Sequence, residues 1–124
     1  MSLQRSKAMK NYSKIENEAG ARIELHDKIG LTGSEISLNR LPANESIPFV
    51  HAHKQNEEVY YIVEGEGKFV IDGEDVALKA GDFVRISPDG KRQIFAGKAG
   101  LTYICIQTKA GSLQEYTAND AIIC

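Results

Sequence analysis

The chain has 124 residues, 42% of them hydrophobic, enough for one domain whose single core needs neither a disulfide nor a structural metal. Fifteen basic residues against seventeen acidic ones leave a formal net charge of −2, and no cluster of Lys and Arg forms a phosphate-tracking stripe, which excludes nucleic acid as a partner class. Cys105 and Cys124 form no CxxC pair, no run approaches the roughly 18 apolar residues of a membrane span, and the polar start "MSLQRSKAMKNYSK" lacks a secretory signal's apolar centre, so a cytoplasmic protein with no membrane partner is expected.

Residues 1–20 are expected to be a leader or arm, with Met9 a second candidate start. From there the chain alternates short β-type segments with turn residues and shows no sustained apolar repeat of 3.6 residues. The strands expected in order are "ARIELHD", "SEISLNRL", "FVHAH", "EVYYIVEG", "GKFVIDG", "EDVAL", "DFVRIS", "RQIFAG" and "LTYICIQTK", divided by "GLTG", "PANESIP", "KAG", "PDG" and a second "KAG". This spacing predicts an all-β sandwich or small barrel over 21–110. Within "KFVIDGEDVAL", Asp72 and Gly73 supply the positive φ angles of a type I′ hairpin. Gly65 and Gly67 mark a bend or a close backbone approach where the strand from Tyr60 to Val63 ends. The tail, 111–124, is expected to be a short helix or an edge strand, since Thr117 precedes Asp120 by three residues.

The segment "VHAHKQNEEVYYIVEGEG" carries the chemistry. Side chains alternate faces along a strand, so His51 and His53 point the same way with Cα atoms about 6.5–7 Å apart. A turn through "KQNE" aims Glu58 back at the same point, making a facial triad of two imidazoles and one carboxylate with coordination positions left open. This donor set suits Fe(II), Mn(II), Ni(II) or Zn(II), and because the histidines must be neutral, the metal should be lost as pH falls.

These residues resemble the first motif of the cupin superfamily: HxH, four residues, a glutamate, six residues and a glycine, matched by His51, His53, Glu58 and Gly65. The resemblance covers roughly 34–108 and implies a double-stranded β-helix, or jelly-roll barrel, with one divalent transition metal (Zn, Fe, Mn or Ni) inside. A second cupin motif ends in a further histidine ligand. Here "GDFVRISPDGKRQIF" places Gln93 at that position by its "PDG" match, while an ungapped count from Gly81 places Arg92 there. A glutamine amide oxygen is a weaker ligand than imidazole, so Gln93 either ligates the metal, leaving it more Lewis acidic, or holds another group in place while water takes that position. Glu45 stands where the first motif commonly opens on glycine.

Tyr60 shares the strand parity of Glu58 and so offers a hydroxyl to a bound molecule; Tyr103 and Arg85 are further candidates, Arg85 as a clamp for an anionic substrate. Cys105 among isoleucines reads as inert packing, and His26 as a surface histidine. The resemblance implies a range of metal-dependent enzymes acting on a small polar molecule, including dioxygenases, isomerases and lyases, and it implies a homodimer built on the outer sheet. A non-catalytic binding or sensing barrel and a purely structural metal are the alternatives.

Overall fold

The computed structural model describes residues 10–16 and 19–124, so most of the expected leader, Met9 included, lies outside the described residues. Six strands form one sheet: β1 (Arg22–Glu24), β2 (Glu35–Leu41), β3 (Asn56–Ile71), β4 (Glu74–Lys79), β5 (Phe83–Ile86) and β6 (Arg92–Lys109). They run in the order β1-β2-β6-β3-β4, with β5 also on β3, and every pairing is antiparallel. Two four-residue helices complete the chain: α1 (His26–Ile29), where "ARIELHD" was expected to stay extended, and α2 (Thr117–Asp120) in the tail. Among the described residues no helix is long and apolar enough to cross a membrane.

Two long strands replace four expected short ones. "EVYYIVEG" and "GKFVIDG" are one strand, β3, and "RQIFAG" and "LTYICIQTK" are one strand, β6. The division expected at the glycines is a bend. Register shifts fall between Ile62 and Glu64 and between Gly65 and Gly67, so β3 pairs first with Leu101–Lys109 and then with Arg92–Ala96. Glycine is required here by close approach: a side chain at Gly65 would collide with the carbonyl oxygen of Gly100, and one at Gly67 with that of Phe95. The bend lets one strand pair line two parts of a single interior. The Asp72-Gly73 hairpin forms as expected, with φ of 51° and 82° joining Ile71 to Glu74.

Alternation along these strands decides which side chains turn inward. Tyr60, Ile62, Phe69, Leu78, Ile86, Ile94, Ala96, Leu101, Tyr103 and Cys105 form the core, and Tyr60 meets Phe69 edge to face at 4.7 Å. Ser37, Asn39, Glu58 and Arg92 are buried among them. Four buried polar side chains in an apolar interior are costly unless each is satisfied, and the candidate site is built around them.

Candidate metal centre

His51 and His53 do not stand on a regular strand as "FVHAH" suggested. The segment joins its neighbours through a single bridge, with His51 N–H donating to the Arg92 carbonyl (3.0 Å), Arg92 N–H donating to the His51 carbonyl (2.9 Å), and His53 N–H donating to the Pro88 carbonyl (2.9 Å). Phe49, His51 and His53 line one cavity, His51 and His53 half-buried and Phe49 exposed at its rim. The imidazole centroids lie 5.2 Å apart.

Glu58 is the third residue of β3, in its inward row, and is 2% exposed. Its Oε1 accepts from the Tyr60 hydroxyl (2.6 Å) and from Arg92 Nη1 (2.5 Å); its Oε2 accepts from the Cys105 thiol at 3.3 Å. Burial pushes the Glu58 carboxyl up, but the hydrogen bonds from Tyr60 and Arg92 and the proximity of His53 outweigh it, and the net shift is downward. The carboxylate is therefore ionised at neutral pH. Burial is also the main reason that His51 lies below its ordinary value, which keeps it neutral and able to ligate.

His51, His53 and Glu58 bring one donor atom each within 4.8 Å of the others. His51 Nδ1 and His53 Nε2 are buried with no hydrogen-bond partner. His53 Nε2 is 3.1 Å from Glu58 Oε2, yet the two do not meet at hydrogen-bond geometry; both lean toward a common point. That separation matches the edge of an octahedron with metal–donor bonds of 2.0–2.2 Å, about 3 Å. Buried, orphaned imidazole nitrogens beside an ionised carboxylate are unfavourable without an ion between them. The three residues fit a divalent metal.

Arg92 has the role that the sequence left unassigned. It is fully buried, and beyond Glu58 its guanidinium donates to the carbonyls of Ser87 (2.7 Å), Pro88 (3.2 Å) and Gly90 (2.9 Å from Nε and 2.7 Å from Nη2). It thus binds the turn after β5 to Glu58 Oε1 and leaves Oε2 facing the histidines. Gln93, one residue on, lines the same cavity with its amide Nε2 donating to the Ile47 carbonyl at 2.9 Å. The one signal for Arg92 was the ungapped count from Gly81, which put it at the ligand position; a guanidinium cannot ligate, and nothing local marked it as a carboxylate holder.

The cavity has a volume of about 290 Å³. Tyr60 and Tyr103 both line it, with ring centroids 5.7 Å apart. Arg85 is exposed, donates to Ser87 Oγ at 2.9 Å and is not among the lining residues; its neighbour Ile86 turns inward. Cys105 is buried, as expected, and burial followed by the Glu58 charge raises its thiol to about 12, so no thiolate forms at neutral pH.

A cupin-domain family profile matches residues 37–106, more than half of the chain. The protein belongs to the cupin family. A cupin protein from Bacteroides fragilis of known crystal structure is 54% identical, with a TM-score of 0.90 over 94% of this chain and 99% of that one. An uncharacterized protein from Methanocaldococcus jannaschii is 37% identical over 57 residues, 45% of this chain and 46% of its own. An oxalate-binding protein from Thermotoga maritima is 46% identical over 43 residues, 35% of each chain. This cupin thus spans less than half the length of the curated relatives it matches.

Proposed function

We propose that this cupin holds one divalent transition metal on His51, His53 and Glu58 and acts on a small polar molecule that enters the cavity beside it. The observation that carries this is the pair of buried, unpartnered imidazole nitrogens next to an ionised Glu58. A metal there would polarise an oxygen of the bound molecule or lower the pKa of a coordinated water. The chain's own residues would do the rest: Arg92 and Tyr60 orient Glu58, and Tyr103, Gln93 and the apolar walls shape the space. In this proposal the bend in β3 and β6 wraps the sheet into a jelly-roll barrel around the cavity. Zn, Fe, Mn and Ni all suit two nitrogens and one oxygen.

Elemental analysis of protein purified without chelator tests the site. About one equivalent of metal is expected in the wild type, with affinity reduced more than about a hundredfold in His51→Ala and His53→Ala, since even residues behind the ligands are worth ten- to hundredfold. Equal trace metal in all three proteins sinks the proposal. A metal whose removal unfolds the domain would favour a structural tether.

A second reading, a binding barrel without turnover, has its own support. The tyrosines and the thiol of the cavity are held away from neutral pH: burial raises Tyr60 far up and Tyr103 and Cys105 to about 12. The curated relative whose name is oxalate-binding points the same way. Recovery of a bound small molecule chemically unchanged after prolonged incubation would favour it.

We also propose a homodimer. The outward row of the sheet carries Leu38, Ile104 and Ile106 across β2 and β6, only half-buried, and Phe83 on β5 is exposed. Sedimentation at micromolar concentration should give twice the chain mass.

A further inference from the structure

Arg22 is a cavity residue that no motif marks. It sits on β1, the edge strand, opposite Asn39, which in turn lies opposite Tyr103 on β6. This is the inward row, and Arg22 lines the same cavity as His51, His53 and Glu58. Its Nη1 donates to Asn39 Oδ1 at 2.7 Å. Asn39 is buried and is held in turn, its Nδ2 donating to Ser37 Oγ at 2.9 Å. Arg22 is thus oriented from beneath by a fixed amide. Its other nitrogen, Nη2, meets Glu24 Oε2 at 3.1 Å with both side chains about half exposed. Exposed pairs of that kind are weak and readily exchanged for a ligand.

Charge around the cavity is lopsided. The charged lining residues are Arg22, Arg92 and Glu58. Arg92 and Glu58 neutralise each other in a buried pair and Arg22 meets Glu24 only at the exposed rim, so the charge of a bound divalent metal would have no further acid among the lining residues to balance it. The apolar lining residues Ile47, Phe49, Phe69 and Ile94 suit a short hydrocarbon. Guanidinium matches a planar carboxylate through paired N–H donors, and no lysine lines the cavity to supply the further donors a phosphate would ask for.

We propose that Arg22 receives the carboxylate of a small organic acid whose other end reaches the metal held by His51, His53 and Glu58. The proposal rests on the metal-site reading above and names the class of molecule for it. It moves the anion clamp expected of Arg85 to a residue that the fold brings into the cavity.

Co(II)-loaded protein tests it, with the visible spectrum reporting the metal and calorimetry reporting binding of acetate, malonate, succinate and glutarate. The tightest dicarboxylate should weaken by about ten- to hundredfold in Arg22→Gln, the loss expected of a charged hydrogen bond, while acetate at the metal changes by less than about threefold. Arg22→Lys, which keeps the charge but not the fork, should fall between. Thermal melts of both variants identify any that fails to fold, and the Lys variant then carries the comparison. Dicarboxylate binding that is unchanged in both variants, with the Co(II) spectrum intact, overturns the role of Arg22 and leaves the metal site standing. If no protein shows a Co(II) spectrum, the metal reading has failed, and dicarboxylate binding to the metal-free protein decides: dependence on Arg22 supports the clamp, and independence overturns it.

Discussion

The interior of this cupin has two parts that share the same long strands and obey different physics. One part, around Ile62, Leu78, Ala96 and Leu101, is hydrocarbon, with Ile62 wholly buried. The other, around Glu58, buries a carboxylate, a guanidinium, an amide and a hydroxyl from Glu58, Arg92, Asn39 and Ser37. The first part gains stability from every atom it removes from water. The second must offset desolvation with Coulomb attraction and hydrogen bonds, and a well-packed apolar replacement would often be as stable. Two unpartnered imidazole nitrogens complete the second part. Stability alone does not account for such an arrangement, whereas the donor set fits a divalent ion.

The two parts should respond most differently to a change at Arg92. Arg92→Leu should lower stability by about 3–5 kcal/mol in urea melts, because it strands a buried carboxylate and three carbonyls. Combining it with Glu58→Gln should recover part of that loss, and strictly additive costs would show that the two are not coupled. The apolar part should respond next most strongly. Ile62→Ala is expected to cost about 2–4 kcal/mol through the cavity it leaves, and since Ile62 does not line the site, metal content should be unchanged. A loss of metal in that variant would mean that the two parts are not separable.

The smallest expected effect is the pH dependence of the metal-free protein. His51 in the folded state lies below its ordinary value of 6.5, so the unfolded chain binds more protons from 6.5 downward to the folded value, and stability falls as pH falls through that window. Glu58, also lowered, adds a second loss below the ordinary carboxylate value of 4.5. Both shifts have the same sign, so urea midpoints should rise monotonically from pH 4 to pH 7. His51→Ala should remove the upper part of the slope and Glu58→Gln the lower. A slope unchanged in His51→Ala would show that another group titrates there.

Much of the site was legible because its rules are local. The HxH spacing keeps two imidazoles close enough to share one ion although the segment is not a regular strand, and Asp72-Gly73 specifies its own turn. The glutamate seven residues after His51 was found by the same short-range counting. Strand boundaries were less legible: "EG" and "KAG" read as breaks, whereas Gly65 and Gly67 let β3 pass close against β6 and continue. Nothing in the chain near Arg85 distinguished it from Arg22 or Arg92. Parity alone cannot say which of the two faces of a short strand turns inward.

The donor set, the β class and the tight hairpin were thus readable from the chain alone, each governed by residues within a few positions of one another. The surroundings of that donor set came from the folded sheet: Arg92 and Tyr60 on one oxygen of Glu58, Cys105 on the other, Gln93 on the Ile47 carbonyl, and Arg22 brought from an edge strand to the cavity. The reason is that these contacts depend on the register between strands far apart in sequence. That register is set by bends and bulges whose energies belong to the packed sheet and to no single segment of it.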